Sequence, residues 1–132
     1  MSLETSIHSM LSTDTAIKGQ VSDRVSPYID DEGTEFPRIA YRVEADERVA
    51  GLIQNDSTRV ATVQVDCIAR SEADAATLSG DVEEALRGTT PTGYSGVVVI
   101  QDTAGDASPP FDGSRDPVYT RTVTTLVFYW ES

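Results

Sequence analysis

Arg59-Val60-Ala61-Thr62-Val63-Gln64-Val65-Asp66-Cys67-Ile68-Ala69-Arg70 is followed at once by Ser71-Glu72-Ala73-Asp74. Ala61, Val63, Val65, Cys67 and Ala69 alternate with Thr62, Gln64, Asp66 and Arg70, the period of a strand with one buried face. Ser71 to Asp74 carries a capping-box signature, and Ala75, Leu78, Val82, Ala85 and Leu86 then recur every three or four residues. Asp81, Glu83, Glu84 and Arg87 point the other way, and Gly88 and Pro91 stop the helix. That apolar stripe is narrow, so the helix should lie on one face of a sheet.

Upstream, Pro37-Arg38-Ile39-Ala40-Tyr41-Arg42-Val43-Glu44 alternates Ile39, Tyr41 and Val43 against Arg38, Arg42 and Glu44, a second half-buried strand. Leu3, Ile7, Met10 and Leu11 have helical spacing, with His8 on the opposite, solvated side; Thr13-Asp14 caps a short further turn that Gly19 ends. Residues 21–29 read as extended, 30–35 as an acidic loop, and 45–57 as a loop or hairpin tip. Downstream, Gly96 to Ile100 is a continuous apolar run that reads as a central strand. Residues 102–116 read as a long Gly-, Pro- and Asp-rich loop, and Val118 to Trp130 as a long terminal strand. The expected order is α-β-β-β-α-β-β: an α+β fold with an antiparallel or mixed sheet of four to five strands and two helices packed on one face, in a single domain over residues 1–132.

The 132 residues carry 22 acidic and 10 basic side chains, a formal charge of −12. Such a surface repels nucleic acid and anionic membranes. Lys18 is the only lysine, and Asp outnumbers Glu 13 to 9. Short carboxylates in place of long lysine stems keep a surface hydrated in molar salt, where the Debye length is about 3 Å and self-repulsion is screened. The composition thus fits a halophilic source. No apolar run approaches a membrane span, and Met1-Ser2-Leu3-Glu4-Thr5 lacks the basic, then apolar start of a secretory leader. Asn55-Asp56-Ser57 matches a glycosylation sequon, which reads here as a turn.

Reactive chemistry is sparse. His8 is the only histidine and Cys67 the only cysteine, which disfavours a catalytic triad, an intrachain disulfide or a zinc site. Gly19 follows the one lysine, so no phosphate-binding Gly-Lys-Ser/Thr exists. Asp102, Asp106, Asp112 and Asp116 could gather a hard cation, but their spacing matches no EF-hand, and no metal, cofactor or catalytic residue is expected. Large apolar residues on both faces of Val127-Phe128-Tyr129-Trp130 point either to a strand in the middle of the sheet covered by the long loop or to contact with another subunit. Phe111, beside Asp112 and Arg115 on a polar segment, is either tucked back as an anchor or presented to another protein.

The strand Pro37 to Val43, the strand Val63 to Arg70, the helix with Ala75, Leu78, Val82, Ala85, Leu86 and Gly88, and Tyr119-Thr120-Arg121-Thr122-Val123 together resemble the tail-completion (tail-terminator) proteins of long-tailed bacteriophages and archaeal tailed viruses. Asp14-Thr15-Ala16-Ile17 and Val25-Ser26-Pro27 extend the resemblance over nearly the whole chain. It implies a non-enzymatic virion protein, assembled in the host cytoplasm into a homo-oligomeric ring, usually of six subunits. The ring would cap the tail tube and join it to the head connector, with DNA passing through a central channel unread. On that reading Phe111, Asp112, Arg115, Phe128 and Trp130 lie at subunit or tube interfaces, and Asp30, Asp31, Glu32 and Glu35 line the channel. Another neck or tail subunit (a connector stopper or tube-like protein) is the near alternative. A small acidic metal-binding module, or a metal-dependent enzyme using the carboxylates of 102–116, is the distant one.

Overall fold

A computed structural model describes residues 3–27, 36–48, 58–89, 95–108 and 118–130. Three helices, α1 (Leu3–Thr13), α2 (Thr15–Val21) and α3 (Glu72–Leu86), accompany five strands: β1 (Val25–Pro27), β2 (Arg38–Arg48), β3 (Thr58–Ala69), β4 (Ser95–Ser108) and β5 (Val118–Trp130). The strands form one mixed sheet in the order β1-β2-β3-β5-β4, parallel only between β1 and β2. The α+β class and the five-stranded mixed sheet follow the expectation from sequence.

Alternation in β3 does what the pattern requires: Ala61, Val63, Val65, Cys67 and Ala69 are all buried. Their register partners on the same face are Tyr41 and Val123 beside Val65, Ile39 beside Cys67, and Val127 beside Ala61. Leu78, Val82 and Leu86 of α3 and Ile7 and Leu11 of α1 close over this face, each fully buried. Burying one such side chain contributes about 1.5–3 kcal/mol, so this layer carries most of the stability. The Ser71 hydroxyl accepts from the Asp74 amide at 3.1 Å and starts α3, while Gly88 at φ 71° ends it in the left-handed region that glycine adopts without strain.

Several elements differ from the sequence reading. A helix, α2, occupies Thr15–Val21, so the helices number three, and Gly19 lies inside α2. Asp14 caps α2, accepting from the Ile17 amide at 3.1 Å, and the extended segment shrinks to Val25–Pro27. Strand β2 continues to Arg48 through an irregularity between Val43 and Ala45. The apolar run Gly96 to Ile100 is not central: it belongs to β4 at the sheet edge, and β5 takes the interior place. Residues 102–108, expected in a loop, pair along β5, with Asp102 opposite Thr124 and Asp106 opposite Thr120. Strand pairing overrides a local composition of Asp, Gly and Ala. His8 is half-buried, not solvated, with Nδ1 3.0 Å from the Tyr41 hydroxyl. Beyond α3, the Gly88 amide donates to the Val98 carbonyl and the Val98 amide to the Thr89 carbonyl, both at 2.9 Å, covering part of the outer edge of β4.

Candidate functional site

All three helices pack on one face of the sheet, and the opposite face carries no helix among the described residues. Register lays out this open face row by row. Arg42, Gln64 and Thr124 share one row; the next holds Ala45, Thr62, Leu126 and Val99; the next Val60 and Phe128. The last two rows hold most of the apolar positions of this face, with Thr62 and Glu47 among them, and Asp102 lies opposite Thr124 in the first. Val99 is 42% exposed, the large apolar side chain most open to solvent among the described residues, while Val60, Leu126 and Phe128 are half-buried. Antiparallel sheets commonly leave one face without a helix layer, and here that face brings these apolar side chains together.

Toward the other end the face is polar and rich in arginine. The Arg42 guanidinium donates to Glu44 and Gln64 and stands 3.7 Å from Asp66. Asp66, on this same face, is buried at 8% exposure and also accepts from the Thr122 hydroxyl at 2.7 Å. A desolvated carboxylate needs such partners, since leaving it unpaired would cost several kcal/mol, of order 3–5. Arg38 and Arg70 each hold a guanidinium 4.4 Å from the centroid of Phe36. Stacking of this kind contributes about 0.5–1 kcal/mol where exposed.

The helical side is acidic. Glu4, Asp14, Glu72, Asp74, Asp81, Glu83 and Glu84 face Lys18 and Arg87 as the only cations on the three helices and their caps. Besides the Asp14 cap, two of these acids bond to a neighbouring element: Asp81 accepts from the Gln20 amide group of α2, and Glu83 from the Thr103 hydroxyl of β4. Exposed on this surface are Gly19 and Gly80, each with nothing within 4 Å of where a Cβ would stand. A glycine in a helix interior costs about 1 kcal/mol relative to alanine. Nothing within the subunit requires that cost at either position.

Beneath α3, burial pushes the Cys67 thiol well above the ordinary thiol range; the Asp66 and Glu83 carboxylates add to this, and Arg121 opposes it. Such a thiol is inert as a nucleophile. Arg121 runs alongside Gly105, where a Cβ would come within 2.9 Å of its Nη1, and Arg121 Nε has no hydrogen-bond partner. No group of three or more His, Cys, Asp or Glu side chains that could hold a metal occurs among the described residues. Asp102 and Asp106, expected in a loop, stand on β4, and Asp112 and Asp116 lie outside the described residues.

Of the residues singled out from sequence, Phe128 lies half-buried on the open face, and Trp130 ends β5 opposite Thr58 and Ser95. Phe111, Asp112 and Arg115, and the acidic segment Asp30, Asp31, Glu32 and Glu35, lie outside the described residues. Sequence reading missed Val60, Val99 and the Arg42–Asp66 contact. Only the register across three strands brings them together.

The fold has a known counterpart. A chain from the virion of a native gene transfer agent (GTA) particle superimposes with a TM-score of 0.75, covering 98% of this chain and 96% of that one at 13% sequence identity. At that identity the likeness is one of fold, and it spans both chains nearly end to end. No protein-family model and no curated protein sequence matches the chain.

Proposed function

We propose that this chain is a non-enzymatic structural subunit of a tailed-virus-type particle. Its place is at the head-proximal end of the tail tube, as a homo-oligomeric ring, six-membered in the resembled family, that ends tube growth and joins the tail to the head connector. The observation that carries the reading is the end-to-end fold match to a chain of a virion particle. The order and spacing of the strand and helix motifs support the terminator role within that class. Function here is assembly: one end of the ring occupies the end of the tube and the other receives the connector.

Phe128 and Trp130, with Phe111, Asp112 and Arg115, are the proposed subunit or tube contacts. Asp30, Asp31, Glu32 and Glu35 are the proposed channel lining, where carboxylates repel phosphate and let DNA pass without sticking. The surface chemistry of few lysines and many aspartates suits a particle made in a halophilic host.

Electron microscopy of purified particles, with an antibody or tag on this chain, tests the proposal. Label and ring density at the head–tail junction are expected. Particles that lack the chain, or label along the tube or on the head, would overturn the terminator role.

A further inference from the structure

We propose that the outer edge of β4 at Thr103 and Gly105, with the Arg121 guanidinium laid across it, receives an extended, carboxylate-bearing segment of a second copy of this chain. The inference rests on the ring reading above and names one of its contacts.

Two observations meet at this place. The first is an arginine without a partner. Arg121 stands opposite Gly105, on the same face of β5 as buried Val123, and its side chain crosses β4 there: a Cβ at 105 would come within 2.9 Å of Nη1. Its Nε is buried with no hydrogen-bond partner, and no carboxylate pairs with this guanidinium among the described residues. Glu83 of α3 is engaged elsewhere, accepting from the Thr103 hydroxyl and standing 3.8 Å from Arg87. A buried donor is costly to leave unbonded, and a carboxylate, which accepts two parallel N–H bonds from one guanidinium, satisfies it best.

The second is an open backbone beside it. Val98 turns its amide and carbonyl outward, to Thr89 and Gly88. Thr103 and Gly105 face Val123 and Arg121 in the phase in which Val98 faces Val127, so ladder alternation turns their groups outward too. No backbone group among the described residues pairs with them there. At the other edge of the sheet β1 is three residues long and ends on Pro27, which has no amide to offer. β4 runs for 14 residues without a proline, and such an edge is a template for a further strand.

Charge names the occupant. With 22 acidic and 10 basic residues, a second copy brings carboxylates to the unpaired guanidinium. Register places Asp102 and Asp106 on the other face of β4, so the incoming carboxylate belongs on the helix side, over Arg121. Two β4 edges side by side would repeat arginine on one face and aspartate on the other. The docking segment is therefore a different one, and the contact is heterologous, as a ring requires.

Two measurements on the full chain test this. Arg121→Gln removes the guanidinium without breaking a hydrogen bond or ion pair among the described residues, so the thermal midpoint should hold. Self-association by sedimentation should nevertheless weaken at least about tenfold. Amide hydrogen exchange of the parent is then followed across the concentration range of association. The Thr103 and Gly105 amides should exchange freely in the monomer and slow at least about tenfold on association, a result that decides even if Arg121→Gln fails to fold. Amides already protected in the monomer, amides still unprotected in the assembly, or a folded Arg121→Gln chain that assembles like the parent would each overturn the proposal and leave the ring reading intact. A parent chain monomeric up to about 1 mM overturns this contact, and one that is also absent from particles overturns both.

Discussion

Replacing Cys67 by alanine isolates one proton in the centre of the sheet. In the folded chain, burial of the thiol beneath α3 disfavours its charged form, Asp66 and Glu83 add to this, and Arg121 only partly opposes it. The unfolded chain loses the thiol proton above about pH 8.5, its ordinary value. The folded chain keeps it, so above that pH the unfolded state binds fewer protons and stability falls as pH rises. The slope is about 1.4 kcal/mol per pH unit, or about 2 kcal/mol between pH 8.5 and 10. Cys67→Ala has no such proton. It should start about 1 kcal/mol less stable at pH 7 for the lost packing of the sulfur, then equal or exceed the parent by pH 10. Urea unfolding of both chains in molar KCl at pH 7, 8.5 and 10 measures the difference, in which every other titrating group cancels. Parallel curves would refute the burial argument, as would brisk reaction of the folded parent with a thiol reagent.

Ser71→Ala removes the acceptor for the Asp74 amide and should cost about 1 kcal/mol in the same urea assay. Leu78→Ala opens a void under the centre of α3 and should cost about 2–5 kcal/mol, visible as a large fall in thermal midpoint. Tyr41→Phe keeps the ring but deletes the hydroxyl 3.0 Å from His8 Nδ1; about 1 kcal/mol should be lost, with the effect confined to the docking of α1 on β2 as read by hydrogen exchange. Unfolding midpoints should rise steadily from dilute buffer to molar KCl if the −12 charge is adapted to salt, and a flat response would remove the halophilic reading.

What could be read from sequence was what local pattern decides. The β3 alternation and the α3 stripe each satisfy one periodicity, and both stand where they were expected. The second half of β4 was hidden because its inner-face positions are Thr103 and Gly105, and Gly105 is small to leave room for Arg121, a partner in another strand. Asp66 looks like a surface residue until Arg42 and Thr122 are placed beside it, the first 24 and the second 56 positions away. His8 meets Tyr41 at a separation of 33 residues. Of the open face, Phe128 drew attention because both faces of its strand end are apolar in sequence. Val99 did not, because a continuous apolar run does not say which face is covered.

The same asymmetry bears on how such a chain can assemble. With helices on one face only among the described residues, the Val99, Leu126 and Phe128 surface meets water or is covered by further protein. The Arg42 guanidinium on that face is already met by Glu44 and Asp66 of its own chain, so charge there is largely balanced within the subunit. At molar salt the remaining repulsion between chains is screened beyond about 3 Å, so long-range charge no longer selects the partner. Apolar burial is left to decide, and exposed Val99 with half-buried Leu126 and Phe128 has the most to gain from it. Raising salt should therefore leave any self-association through this apolar surface intact while dispersing attachment that depends on steering alone. Association that collapses as salt rises would mean that charge, not shape, selects the partner.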